Sequence, residues 1–411
     1  MTRSHLRALC IPLATAFNLS ACSDFISVEN PNVVDGGSID PEADGPMIAW
    51  SAYQDFAAGL GDIVLNTAWF TTEAWTGDSS EDRAEIGRRD IDPTNPRLNS
   101  DIWVRFSRGL ATSEDARDIL LRSENASSNV HLARVNLSSG YSYLLMAETF
   151  CVGVARGGPA LSTEQMLELA AERLEDARSI GAVSDDEDGR AIALAATVGL
   201  ARTRLTQNRL GEAQALAERV PGDFEYLVYT RDDPANRERL GNRLWEATVD
   251  RAALVVPPSY RAIADGGDVR VRYEDTGVNA YDGFTRMYAE RKFVGWDAPY
   301  VLASGLEARY IAIEASGADD EMLAFVNSRR TMHGHDPVNF SGDDLLAEFL
   351  WQKSLDLWLE GKRIGDFHRH PDVLPGILAS GEEFYKPAAG PVGDNTCLPL
   401  PFAETSTNPN L

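Results

Sequence analysis

The start of the chain lacks an apolar stretch long enough to cross a membrane. A crossing helix needs about 20 residues, whereas Ala8 to Leu19 is shorter and is interrupted by Pro12 and Asn18. A spanning anchor at this end is thereby excluded. Basic residues are scarce: 38 Lys and Arg face 63 Asp and Glu, giving a formal charge of −25 over 411 residues. Such a surface repels phosphate backbones and anionic lipid headgroups, so no nucleic acid is expected as a partner and membrane association needs another source. The signatures of common catalysts are missing as well. There is no Gly-x-Ser-x-Gly elbow, His-Glu-x-x-His zinc helix, Walker loop or complete dinucleotide fingerprint. Gly59-Leu60-Gly61 lacks the third glycine of that fingerprint and reads as a helix break. No catalytic residue, cofactor or metal ligand is assigned. His333-Gly334-His335 and His368-Arg369-His370 lie in Gly- or Pro-bearing loops without an evident third ligand, and they read as surface histidines. Asp185 to Gly189 lacks the alternating ligand spacing of a calcium loop and reads as a solvated turn capping the helix that begins near Arg190.

What the N-terminus carries instead is an export signal. Arg3 and Arg7 precede the apolar run, and Leu19-Ser20-Ala21-Cys22 closes it, the order of a secretory signal ending in a lipobox. A buried N-terminal helix would leave both the basic start and the tetrad unexplained. Residues 1–21 are therefore assigned to a lipoprotein signal peptide. Cys22 becomes the first mature residue, acylated on its sulfur by a palmitate-like chain and on its new amino group. One acyl chain holds a membrane only marginally and several hold it stably, so Cys22 supplies the membrane attachment. Residues 1–21 contain two arginines and no acid, so their removal takes the formal charge from −25 to −27. Of the four cysteines, Cys10 leaves with the signal and Cys22 is taken by lipid. Two remaining cysteines in an exported protein, Cys151 and Cys397, suggest one disulfide bond. Two separate buried thiols are the alternative.

Residues 22–45 are polar and rich in turn formers, a lipid-proximal tether running into the body. Apolar residues then recur at helical spacing in Met47 to Gly59 and Ile63 to Trp75, and residues 76–98 read as a long loop of the kind that carries function. Helices are predicted at about 101–123, 129–150, 163–180, 190–207 and 211–220, with Ser162 capping the third. The last two form an Ala-rich hairpin in which Ala195, Ala201, Ala213 and Ala217 permit close packing, as in tetratricopeptide-like (TPR-like) repeats of about 34 residues. Residues 221–299 are loop-rich, punctuated by Pro257-Pro258, Gly266-Gly267 and Asn279 to Gly283. Helices return at 300–315, 319–330 and 345–360, and the tail from Pro371 is Pro-rich and irregular.

Four stretches resemble the SusD/RagB-like outer-membrane nutrient-uptake lipoproteins. The first is Cys22-Ser23-Asp24-Phe25-Ile26-Ser27-Val28-Glu29-Asn30-Pro31, similar to the family's post-lipobox opening. The second is Ile313-Glu314-Ala315 with Asn327-Ser328-Arg329-Arg330, like its "AEA" and "N-x-x-R" signatures. The third, Leu357-Trp358-Leu359-Glu360-Gly361-Lys362-Arg363-Ile364-Gly365-Asp366-Phe367, is similar to "E-L-W-x-E-G-x-R-x-x-D-L". The fourth is the terminus, Leu398-Pro399-Leu400-Pro401-Phe402-Ala403-Glu404 and Asn408-Pro409-Asn410-Leu411, like "I-P-x-x-E … N-P-N-L". Singly they are weak, and it is their order along the chain that is specific. Departures are Gln352-Lys353, where the family has Glu-Arg, and Phe367 in place of Leu. The third stretch also has its own physical reading: Glu360 and Arg363, three apart, are placed to pair, Gly361 permits close approach, and Asp366 either caps the next turn or meets Arg369.

The resemblance implies a mainly α, SusD-like fold over 46–411, with TPR-like hairpins at about 101–220 and 300–369 and an irregular, loop-rich ligand-binding subdomain at about 221–299. It further implies a non-enzymatic protein at the cell outer membrane, lipid-anchored and facing outward. Such a protein would bind an oligosaccharide or peptide and pass it to a SusC-like TonB-dependent transporter. Aromatic rings in loops suit either ligand, which singles out Trp69 and Trp75 beside the 76–98 loop and Tyr281, Tyr288 and Trp296 in the loop-rich part. Trp103, Trp351 and Trp358 lie on helical faces and read as core. A surface lipoprotein glycan hydrolase, built on a chance pair among the many carboxylates, and a TPR-like envelope scaffold are the alternatives.

Overall fold

The computed structural model describes residues 39–411. The signal at 1–21, Cys22 and the tether as far as residue 38 lie outside the described residues. Helix α1 (Gly45–Phe70) is buried along most of its length. It passes through Gly59-Leu60-Gly61 without interruption, which corrects the helix break expected there. A Cβ at Gly59 would lie 2.9 Å from Cα of Phe106, and one at Gly61 would lie 2.6 Å from Oη of Tyr300. These glycines serve close approach of neighbouring chain. After α1 come the two-residue strand β1 (Trp75–Thr76) and α2 (Glu81–Gly87), so part of the expected 76–98 loop is helical.

Helices α3 (Val104–Leu120), α4 (Val130–Thr149), α5 (Thr163–Val183), α6 (Glu187–Thr206) and α7 (Leu210–Ala217) then pack each on the next, and α1 packs on α3 and α4. Their starts are set by local chemistry. Asn129 accepts from the backbone N–H of His131 and Leu132, Ser162 and Gln165 form a reciprocal capping box, and Asp186 accepts from Asp188 N–H. Ala195, Ala201, Ala213 and Ala217 are all buried where α6 and α7 meet their neighbours.

Between 221 and 299 the chain forms short elements: β2 (Glu225–Val228), α8 (Arg237–Leu240), α9 (Arg243–Trp245), β3 (Leu254–Val255), α10 (Pro258–Asp265), β4 (Tyr273–Asn279) and β5 (Arg286–Glu290). The stretch expected as helix from residue 300 begins instead as strand β6 (Tyr300–Ser304), and Ser304 then caps α11 (Gly305–Ser316) through Glu307 N–H at 3.0 Å. The strands form three antiparallel two-stranded sheets, β1 with β3, β2 with β6 and β4 with β5. Helices α12 (Asp319–Met332), α13 (Gly342–Asp356), α14 (Arg363–Arg369) and α15 (Phe402–Thr407) complete the chain. No described helix is long and apolar enough to cross a membrane.

The family-like stretches turn out to be where buried charges meet. Glu314 accepts from Lys353 (3.1 Å), Arg369 (2.8 Å) and His370 (3.0 Å). Burial opposes its charge, but Arg369 and Lys353 outweigh burial and hold the carboxyl well below the usual range. Lys353, a departure from the family pattern, also reaches Asp366 at 2.7 Å, and Asp366 meets Arg369 at 2.5 Å. The expected Glu360–Arg363 pair is corrected. Glu360 pairs with Lys292 at 2.8 Å, while Arg363 turns to the backbone oxygens of Thr71 and Pro375. Gly361, at φ +69°, brings its Cα against Val64 of α1, a left-handed conformation that favours glycine. The histidine pairs are not simple surface residues either. His335 lies 3.0 Å from the buried Asp268, His370 meets Glu314, and no group suited to hold a metal occurs among the described residues.

Cys151 and Cys397 are joined, with their Cα atoms 5.2 Å apart and a sequence separation of 246. Backbone bonds on either side, Cys151 N–H to Leu398 O (3.0 Å) and Leu398 N–H to Thr149 O (2.8 Å), seat the tail on the end of α4. Glu404 accepts from Trp103 Nε1 at 3.0 Å, and Asn408 and Asn410 donate to the oxygens of Gly158 and Gly157. The double variant Cys151→Ser, Cys397→Ser is expected to lose about 2–4 kcal/mol in urea unfolding, an effect that dithiothreitol should reproduce in the parent protein and leave unchanged in the variant.

Glu73, 1% exposed, follows α1 and ties it to the third family-like stretch. Its Oε1 accepts from Leu359 N–H (3.2 Å) and its backbone oxygen accepts from Trp358 Nε1 (3.1 Å), while Oε2 has no hydrogen-bond partner. Burial pushes its carboxyl up to about 7, with Arg363 only partly offsetting this. The folded form therefore favours the protonated acid. Its contribution is complete below the unfolded value near 4.5 and is lost as pH rises through about 7. Glu73→Gln retains the Leu359 bond, so its stability should stay flatter between those pH values and exceed the parent's at pH 8 by on the order of 3 kcal/mol, measured by denaturant melts across pH.

Candidate functional site

Segments from three parts of the chain meet around β1. Its backbone pairs with β3, Trp75 opposite Val255 and Thr76 opposite Leu254. The Trp75 ring stacks on Tyr385 at 4.2 Å with planes 7° apart, and Tyr385 Oη accepts from Thr76 N–H at 2.5 Å. Gly77 follows. Its N–H donates to Ala253 O (2.6 Å), and its own oxygen accepts from Asp282 N–H (2.8 Å) at the tip of the β4–β5 hairpin. A Cβ at Gly77 would stand 2.5 Å from Cβ of Ala280, so a side chain there would push the tip away.

The tip, residues 280–285, is built to hold its shape. Asp282 accepts from the N–H of Phe284 (3.1 Å) and Thr285 (2.9 Å) and from the Thr285 hydroxyl (2.6 Å). Ala280 N–H donates to Thr285 O (2.7 Å), Tyr281 N–H donates to Ala252 O (3.0 Å), and Gly283 takes φ +79°. Lys386 donates to Asp78 O at 2.5 Å and pairs with Asp282 at 3.0 Å. Burial disfavours the Asp282 carboxylate, but bonds from Thr285 and Lys386 outweigh it and hold the acid below its ordinary value. On this rigid frame Tyr281 is 67% and Phe284 61% exposed. Lys386 Nζ lies 5.6 Å from the Phe284 ring centre. Two aromatic faces thus stand in water on a pre-formed tip, above a buried Lys386 that is paired with Asp282. Such a ledge suits a ligand with apolar faces and polar edges.

Of the other nominated rings, Tyr288 packs against the same small apolar cluster as Trp75. Trp69 is 3% exposed and belongs to the core, so it is withdrawn as a binding residue: it has no face to offer. Tyr288 lies under Arg261, whose guanidinium is 3.6 Å from the ring centre, and packs on Tyr273. Trp296 packs on Arg237 and Gly241, and its backbone oxygen accepts from Asn242 N–H and Thr230. Trp103 and Trp358 are buried as expected, whereas Trp351 is half-buried and lines an open cleft of about 490 Å³ with Phe340, Asp344 and Glu348. The sequence alone does not single out Phe284, Tyr385 or Lys386. The Asp282-Gly283 turn between two aromatic residues was a usable signal for Phe284; Tyr385 and Lys386 sit in a tail without local pattern.

No protein-family model matches the chain, and no curated protein matches it. Solved structures do match. A SusD superfamily protein from Bacteroides vulgatus aligns with a TM-score of 0.66 at 16% identity, covering 90% of this chain and 97% of its own. A laminarin-binding SusD-like protein gives 0.66 at 15% identity, covering 90% and 99%. Surface glycan-binding protein A from Bacteroides thetaiotaomicron, in complex with laminarihexaose, gives 0.65 at 14% identity, covering 89% and 97%. The mainly helical architecture implied by the four sequence stretches is the one observed, and over 90% of its length the chain has the SusD fold.

Proposed function

We propose that this chain is a SusD/RagB-like surface lipoprotein that binds oligosaccharide without turning it over and delivers it to a SusC-like TonB-dependent transporter. The observation that carries the reading is the pair of exposed rings, Tyr281 and Phe284, on a tip that hydrogen bonds hold in place. A rigid ring loses little freedom on stacking against a sugar face, so binding has less ordering cost to overcome. Two of the structural neighbours are described by the glycans they bind, laminarin and laminarihexaose, which supports a saccharide over a peptide. In this reading Cys22 carries the lipid, the body stands at the cell outer membrane, and the helical hairpins face the transporter. Release into a barrel requires only moderate affinity, in keeping with an open ledge.

Calorimetric titration against a panel of neutral oligosaccharides that includes laminarihexaose is the direct test, with product analysis of the same mixtures. Saturable binding with no shortened sugars supports the reading; released sugars would favour the hydrolase, and binding of peptides alone would overturn the saccharide. Tyr281→Ala and Phe284→Ala should each weaken binding at this ledge about two- to tenfold with unchanged melting temperature. For the anchor, Cys22→Ala is expected to move the protein from the membrane pellet to the soluble fraction, and copurification of a large barrel protein with the parent should vanish alongside.

A further inference from the structure

A second cleft, sharing no residue with the ledge, lies where α1, α4, α6 and β2 meet. It encloses about 660 Å³ and is lined by Trp50, Tyr53, Gln54, Arg134, Asp188 and the segment Glu225–Arg231. That volume is in the range of small-ligand sites, about 300–1,000 Å³. Its walls are aromatic. Trp50 is 47% and Tyr229 63% exposed. Trp50 meets Tyr53 edge to face at 5.5 Å, and the Arg134 guanidinium covers the Trp50 ring at 4.2 Å, fixing its orientation. The floor is polar and built. Arg134, 3% exposed, donates to Asp188 at 2.5 Å and lies 3.3 Å from His131. Tyr53 donates to Leu227 O at 3.4 Å, and burial pushes the Tyr226 hydroxyl up to about 12, so it stays a neutral donor and acceptor.

Charge decides what such a cleft takes. Arg134 and Arg231 are balanced by Asp188 and Glu225, so the lining is neutral on a molecule whose formal charge is −25. An anionic ligand is repelled by the whole and offered no surplus cation here; a cation finds no surplus acid. We infer that the cleft is a second saccharide-binding site, for uncharged pyranose oligomers that stack on Tyr229 and on the side of Trp50 left open by Arg134, and bond through Gln54, Glu225 and the tyrosine hydroxyls. Equatorial hydroxyls around an apolar ring face match this alternation of rings and short polar groups. Two sites on one lipid-anchored chain would let a long glycan be held at two points, which raises the effective concentration of the second contact.

The test uses the chain with Tyr281→Ala and Phe284→Ala already in place, titrated with the same panel of neutral oligosaccharides and with a uronic-acid hexasaccharide. Residual binding of a neutral member is expected, none of the uronate, and a further loss of about tenfold on adding Tyr229→Ala, whose exposed ring leaves the melting temperature unchanged. Trp50→Phe should retain more of that binding than Trp50→Ala. If the parent binds the panel while the ledge variant binds nothing, or if residual binding ignores both Tyr229→Ala and Trp50→Ala, the second site is overturned and the ledge stands. If Tyr281→Ala and Phe284→Ala change nothing and Tyr229→Ala removes binding, the cleft stands and the ledge falls. Absence of binding by the parent across the panel overturns both.

Discussion

One buried chain of charges holds the two halves of the sequence together. Glu148 of α4 meets Arg202 of α6, Arg202 lies 3.6 Å from Glu307 of α11, Glu307 meets Lys362 at 3.3 Å, and Lys362 meets Glu360, which meets Lys292. Glu148, Arg202, Glu307 and Lys362 are at most 6% exposed. Lys362 also donates to the backbone oxygens of Val301 and Leu302, and Arg202 to that of Gly361. Charges this deep are tolerated only when each has its partner, and losing one typically costs about 3–5 kcal/mol because the other is stranded. The early helices, strand β6 and the third family-like stretch are therefore locked in one relative position. That is the physical content of the motif around Glu360-Gly361-Lys362: it is a junction of buried charges.

A body fixed in this way lets irregular segments present the exposed rings Tyr281 and Phe284. The β4–β5 tip rests on Gly77 and Lys386, which belong to opposite ends of the chain, and both are positioned by the packed core beneath. Loops on a rigid support are where recognition usually resides. The acidic surface fits the same picture. With 63 acids against 38 bases, the molecule repels anionic partners at long range.

The helices from α4 to α7 were legible because their causes are local: apolar residues at helical spacing, a cap at Ser162, the acidic turn before Arg190, and small residues along one face. Gly59 and Gly61 misled because a glycine in a helix looks the same whether it ends the helix or admits Phe106 and Tyr300. The strand at 300–304 was hidden because β2, its partner, lies about 75 residues earlier and an apolar run of that length suits either element. Glu360 was matched to the cation three residues away, whereas the fold offered it Lys292. Of the nominated rings, Tyr281 is exposed at the β4–β5 tip, Trp75 is stacked on Tyr385, Tyr288 and Trp296 are covered by arginines, and Trp69 is interior.

By itself the sequence determined the helical character of the body and pointed to Cys151 and Cys397 as the two cysteines open to pairing, since each follows from composition, spacing or neighbouring residues. Only the tertiary structure decided which aromatic faces meet water and which charges neutralise one another. Both depend on residues brought together from far apart: Tyr385 against Trp75, Lys386 against Asp282, Arg134 against Trp50 and Asp188. A side chain's accessibility is a property of what packs on it, and that is settled by the global minimum of burial and charge pairing.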